Sequence, residues 1–272
     1  MPAIRKVAPS GLLTAVLIGC CTIASAEPLR IGGTGAATGM IPMLAAAIPA
    51  GENLKIEVVP SLGTGGGLQA VQDGVIDIAA SGRALRPEEK ARGLVQAVAV
   101  RTPFVLVTSN RQPGGFKSTE IASLYRSTNA TWPDGSPIRI ILRPKSDSDT
   151  PLLGALFPDM AAAIEAARKR PEIPIAATDQ DNIALAGQVQ GSLAGSSFTQ
   201  IQTERPSLHL VAINGVKPSL EAFERGSYPF TKNIYFVLSA RRKPDADRFV
   251  AFLNSPEGLR ALRAAGNLPA TE

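Results

Sequence analysis

Histidine and cysteine are almost missing from this chain of 272 residues: there is one histidine, His209, and two cysteines, Cys20 and Cys21. Both cysteines precede Glu27, so a chain cut before that residue has no disulfide, no thiol nucleophile and no thiolate metal site. His209 stands alone within an apolar stretch at residues 208–213, where a histidine is usually structural. A histidine metal site or a serine–histidine base has little to build on. Aromatic residues are scarce too, and no Lys/Arg run is interleaved with them, so nucleic acid is not an expected partner. Beyond the N-terminus no apolar run is long enough to cross a bilayer. Catalytic signatures are also lacking. There is no G-x-x-x-x-G-K-[ST] and no G-x-S-x-G. The run Gly33-Thr34-Gly35-Ala36-Ala37-Thr38 puts threonine at the third glycine of a dinucleotide fingerprint, and no acidic residue closes the second strand. These absences predict a non-enzyme with no cofactor and no metal.

What is present begins with a leader. Arg5 and Lys6, an apolar core from 12 to 18 and Ala24-Ser25-Ala26 read as a secretory signal over 1–26, cut after Ala26 and implying a periplasmic protein. Leu17-Ile18-Gly19-Cys20 offers a lipoprotein cut at Cys20 as the competing reading. Losing Arg5 and Lys6 lowers the formal charge from +5 to +3, a mild basic excess that suits a small anionic ligand.

From Leu29 onward short apolar strands alternate with amphipathic helices, the pattern of an α/β fold with a mainly parallel sheet. Strands are expected at 29–32, 56–59, 75–80, 95–100, 104–108, 138–142, 192–196, 208–213 and 231–239, with Thr102-Pro103 dividing two of them. The segment 110–115, rich in Pro and Gly, is the first candidate crossing between two lobes, and 231–239 the return. Lobe 1 is then 27–109 plus 231–272, and lobe 2 is 110–230. The final helix is bounded by Ser255 as N-cap, Pro256 and Gly266.

Four turns rich in glycine or small hydroxyls follow strands and open helices: 33–39, 63–67, 81–83 and 146–150. Such turns offer backbone N–H groups and the positive end of a helix dipole to an anion. The site expected from them comprises Thr38, Gly39, Thr64, Gly65, Ser81, Gly82, Ser148, Asp149 and Thr150, with Arg143 and then Arg83 as charged ligands. Asp147 and Asp149 flank a helix start, where capping accounts for them better than paired-carboxylate catalysis.

The ordered set Gly33-Thr34-Gly35-Ala36, Ser61-Leu62-Gly63-Thr64-Gly65-Gly66-Gly67-Leu68, Val75-Ile76-Asp77-Ile78-Ala79-Ala80-Ser81 and residues 143–150, with Phe252-Leu253-Asn254-Ser255-Pro256-Glu257-Gly258, resembles the phosphate-binding subunit of bacterial phosphate ABC transporters. The resemblance implies a periplasmic solute-binding protein of the second type, two α/β lobes closing on a small anion, acting as a monomer with a membrane permease. A secreted sensing or interaction module on the same fold, without transport, is the alternative. Two departures stand out: Gly82 replaces the family's proton-accepting Asp, and the loop after Arg143 is one residue longer and gains Asp147 and Asp149. Either one of these aspartates takes over as acceptor or the anion is a different one, such as a carboxylate or phosphonate.

Overall fold

The computed structural model describes residues 27–270 together with Pro2. The leader, with its Ala26 and Cys20 alternatives, lies outside the described residues. In chain order the elements are β1 (Leu29–Gly33), α1 (Met40–Ala47), β2 (Ile56–Val59), α2 (Gly63–Gln72), β3 (Ile78–Ser81), α3 (Pro87–Ala91), β4 (Leu94–Thr108), β5 (Gly115–Phe116) and α4 (Ile121–Arg126). Then come β6 (Arg139–Ile140), α5 (Asp149–Leu156), α6 (Met160–Arg168), α7 (Asp179–Gln188), β7 (Ser192–Ser197), α8 (Phe198–Glu204), β8 (His209–Leu210), β9 (Ala212–Ile213) and α9 (Leu220–Glu224). The chain finishes with β10 (Thr231–Ser239), α10 (Pro244–Leu253), α11 (Pro256–Ala264) and β11 (Leu268–Pro269).

The main sheet runs β2-β1-β3-β10-β4-β7-β6. β1 lies between β2 and β3, parallel to both, as apolar strands joined by helical crossovers require. β4 and β10 pair antiparallel in the middle. One core, around Ile31, Leu44, Phe236, Phe249 and Leu262, packs on the β1 side. Another, around Phe104, Tyr125, Trp132, Leu193 and Tyr228, packs on the β7 side. Each large apolar side chain so buried contributes roughly 1.5–3 kcal/mol. Among the described residues no helix is long and apolar enough to cross a membrane.

The structure departs from the sequence reading where tertiary pairing overrides a local signal. Thr102-Pro103 does not break the strand: β4 runs through it for 15 residues. Pro103 is the last residue paired with β10, opposite Thr231, and Phe104 is the first paired with β7, opposite Ser197. A proline at this change of partner removes little from the ladder. The passage between the two sides of the sheet therefore lies inside β4, ahead of 110–115. The expected strand at 208–213 splits into β8 and β9, and His209 is exposed rather than packed in a core. Val75, expected to open the third strand, lies ahead of β3 and sits exposed after the Gly74 turn. The glycines at 63–67 lie within the opening turns of α2 rather than ahead of it. Gly67 is small because a Cβ there would stand 2.7 Å from the Gly33 Cα, so it serves helix–strand approach. At the C-terminal helix the expected caps are present: Ser255 accepts from the Gly258 N–H, Pro256 begins α11 and Gly266 turns with φ +83.

Candidate functional site

The ends of α2 and β3 meet the start of α5 across the junction between the two sides of the sheet. Thr64 is buried at the first turn of α2, where its Oγ accepts a hydrogen bond of 2.9 Å from the Gly82 N–H. The same oxygen lies 3.3 Å from the Ser148 Oγ. Ser148 occupies the N-cap position of α5 without capping it, so its hydroxyl is free to reach across. Gly82 is confined by this meeting: a Cβ there would stand 2.5 Å from the Ser148 Oγ and 3.2 Å from the Thr64 Oγ. An Asp at that position would have to displace the Ser148 hydroxyl.

Behind Ser148 lies a cluster of charge. Arg143 follows β6 and is buried, 8% exposed. Its Nη1 donates to the Ala176 carbonyl at 2.8 Å and its Nη2 to Asp147 at 2.6 Å, with Asp179 at 3.8 Å. The Arg168 guanidinium donates to the Arg143 carbonyl and fixes its backbone. The second oxygen of Asp147 accepts the Asp149 N–H at 2.9 Å, so this carboxylate is fully engaged and is the one that caps α5. Asp149 does not cap. It is buried, and it accepts from the Lys232 Nζ at 2.6 Å through Oδ2. Nζ also lies 2.5 Å from Oδ1, so the ammonium straddles both oxygens of the carboxylate. Lys232, on β10, has no exposed surface. Burial, and then the neighbouring Asp179 and Asp147, push the Asp149 carboxyl up to about 6 against the pull of Lys232. Burial pulls Lys232 down, but the carboxylates outweigh it and hold its ammonium above the ordinary value.

A cavity of about 20 Å³ is lined by Phe104, Arg143, Asp149, Thr150 and Leu153, among others. The Arg143 Nε, buried, makes no hydrogen bond, and the buried Asp149 Oδ1 faces the Lys232 ammonium. One is a donor and the other an acceptor. The volume holds about one water molecule.

The residues expected from sequence divide into two groups. Thr64, Gly82, Arg143, Ser148, Asp149 and Thr150 come together here. Thr150 donates its hydroxyl to the Pro144 carbonyl at 2.8 Å and so spends its donor on the loop. Gly65 is exposed with nothing near its Cα hydrogen. Ser81 is buried but closes its own turn, donating to the Arg83 carbonyl at 2.6 Å. Arg83 turns away to form a two-point pair with Glu89. Thr38 and Gly39 lie beside α8, where a Cβ on Gly39 would meet the Thr203 hydroxyl, and Thr38 makes no bond across the junction. Thr34 and Gly35 meet the second side instead: Thr34 lies 3.5 Å from Asp179, and Gln180 donates to the Gly35 carbonyl at 3.0 Å.

Sequence reading missed Asp179 and Lys232. Lys232 had a signal: it shares the period-two inward face of β10 with Ile234 and Phe236, which marks a buried charge. Asp179 sits in the first turn of α7 behind the Thr178 cap, where an acidic residue is ordinary, so nothing marked it.

A model of the PBP superfamily domain matches residues 22–257. The chain belongs to the PBP superfamily. Solved structures with this superfamily's fold cover most of it. A Clostridium perfringens protein, provisionally assigned as a phosphate ABC transporter substrate-binding protein and solved with phosphate bound, is 18% identical with a TM-score of 0.73, covering 90% of this chain and 100% of that one. A phosphate-binding protein from Stenotrophomonas maltophilia is 14% identical with a TM-score of 0.64, over 90% of this chain and 91% of its own. An ABC-type phosphate transport receptor from Vibrio cholerae is 15% identical with a TM-score of 0.58, over 89% and 100%. At these identities the likeness speaks for the PBP fold alone. No curated protein matches the chain in sequence.

Proposed function

We propose that this chain is an exported solute-binding protein that captures a small phosphate-like oxyanion between two lobes and presents it to the permease of an ABC transporter. With the crossing at Pro103–Phe104, the lobes are 27–103 plus 231–272 and 104–230, hinged on the two central strands; the leader directs the chain to the periplasm, where it acts as a monomer without catalysis. The observation behind this reading is the cavity lined by both Arg143, whose buried Nε makes no hydrogen bond, and Asp149, a buried carboxylate held by the Lys232 ammonium. An oxyanion that still carries one proton satisfies both, its bare oxygen accepting from Arg143 and its hydroxyl donating to Asp149. Asp149, not the fully engaged Asp147, thus stands in for the acceptor missing at Gly82. The Clostridium perfringens structure, which holds phosphate, supports the ligand class.

A cavity of about 20 Å³ is too tight for a tetrahedral oxyanion, so the lobes must part and reclose, a hinge motion about β4 and β10. Isothermal titration of the purified protein with inorganic phosphate, sulfate and molybdate tests the reading. Phosphate is expected to bind with measurable heat; silence from all three anions overturns the proposal.

A further inference from the structure

The charged side chains buried among the described residues are Arg143, Asp149, Asp179 and Lys232. All belong to one cluster, and with Asp147 it sets two cations against three carboxylates. Lys232 is the member that local structure explains least. An apolar residue would suit its inward position on β10 at lower cost, because an ion pair taken out of water recovers its desolvation only in part. Stability therefore does not account for it. Its geometry gives another role. The ammonium lies 2.6 Å from Oδ2 and 2.5 Å from Oδ1 of Asp149 and is that carboxylate's one charged partner among the described residues. It so holds the group ionised, with lone pairs left to accept a ligand's proton. We propose that Lys232 is a positioning residue that decides which protonation state of an oxyanion the cleft accepts, by keeping Asp149 a hydrogen-bond acceptor. The inference rests on the oxyanion reading above.

The charged groups around Asp149 are Lys232 from β10, Asp179 from α7 and Asp147 from the loop before α5, the two aspartates being held in turn by Arg143. Burial and both neighbouring carboxylates drive Asp149 toward its neutral form; Lys232 is the first force opposing them. With Lys232 in place the carboxylate only accepts, so the ligand must bring a proton. Without it, Asp149 is protonated and turns donor, and a fully ionised oxyanion becomes the better partner.

The test is titration of wild type, Lys232→Met, Asp149→Asn and the double variant with inorganic phosphate and with sulfate at neutral pH. Wild type is expected to prefer phosphate. Lys232→Met and Asp149→Asn are each expected to reverse the preference by about tenfold or more, since one buried hydrogen-bonding group then faces its like. The double variant is expected to match Asp149→Asn, because Lys232 acts only through Asp149. Should Lys232→Met fail to fold, the double variant, which removes both charges together, still makes that comparison. Equal weakening of both anions in Lys232→Met, or a double variant that returns to phosphate, overturns the role of Lys232 while leaving the oxyanion reading intact. A wild-type protein that binds neither anion overturns the oxyanion reading and this inference with it.

Discussion

Two arginines follow sheet strands into turns, and the structure treats them differently. Arg83 meets Glu89 in a fork of 2.8 and 2.7 Å, one charge against one, six residues apart and partly open to solvent. Its hydrogen bonds hold the Glu89 carboxyl down to about 2. Arg143 is buried among two aspartates, one of them from a distant helix, and a third aspartate beyond them is tied to a lysine 83 residues away. The first is a matched local pair that fixes a turn. The second is unmatched, long-range and withdrawn from water, and it leaves the Arg143 Nε without a hydrogen bond. Such an arrangement recovers its desolvation only in part, which is why we propose the binding role there.

The comparison breaks most sharply by truncation. Arg143→Ala is expected to weaken oxyanion binding by about 100-fold, the loss of a charged hydrogen bond in a buried site. Arg83→Ala is expected to change it by less than about threefold, because a partly exposed pair contributes roughly 0–1 kcal/mol and lies off the cleft. Titration with phosphate checks both, at a temperature where thermal melts show each variant folded. That precaution matters for Arg143→Ala, which strands Asp147 and Asp179. Similar losses from the two variants would erase the distinction.

Gly82 sharpens the same contrast more gently. An Ala there places its Cβ 2.5 Å from the Ser148 Oγ, so the two sides cannot close as tightly. Binding is expected to fall by about tenfold, equivalent to ~1.4 kcal/mol of closure. Adding Ser148→Ala removes the offending oxygen and leaves a 3.4 Å contact with the residue 148 Cβ and the milder 3.2 Å one with the Thr64 Oγ. The double variant should therefore recover most of the affinity, as titration of the pair would show. Without recovery, Gly82 has some other role.

How far the sequence could be read follows from the range of the interactions. The β1–β3 half was legible because its strands and helices bury faces of plain period, and Arg143 and Ser148 were legible as polar residues at a helix start. Strand β4 was misread because Pro103 signals a break locally, whereas the change of neighbour that tolerates it is set by residues nearly a hundred positions away. Thr38, Ser81 and Arg83 were assigned to the site because a turn's composition does not reveal where its side chains point; Ser81 and Arg83 satisfy each other and Glu89. The pairing of Lys232 with Asp149 is a tertiary fact, though the inward lysine on β10 was visible beforehand. Gly82 gave the most specific hint, since the structure shows that the space an Asp would need is filled by Ser148.

The smallest expected effect separates the two carboxylates by the sign of their response to acid. Glu89 has its carboxyl lowered in the folded chain from a usual 4.5 to about 2. Its contribution is complete above the usual value and is lost as pH falls from there toward about 2. Asp149 is raised from 3.8 to about 6, so between those values the folded chain binds the extra proton and stability from this group grows as pH falls. Urea unfolding across that range compares wild type with Glu89→Gln and with Asp149→Asn. The stability advantage of wild type over Glu89→Gln, at most about 1 kcal/mol for a pair so near the surface, is expected to shrink below pH 4.5. The difference between wild type and Asp149→Asn is expected to move in favour of wild type as pH falls from about 6 toward 3.8. If both differences moved in the same direction, the Asp149 carboxyl would be an ordinary matched ion-pair partner like Glu89, and the contrast between the two arginine turns would lose its electrostatic basis.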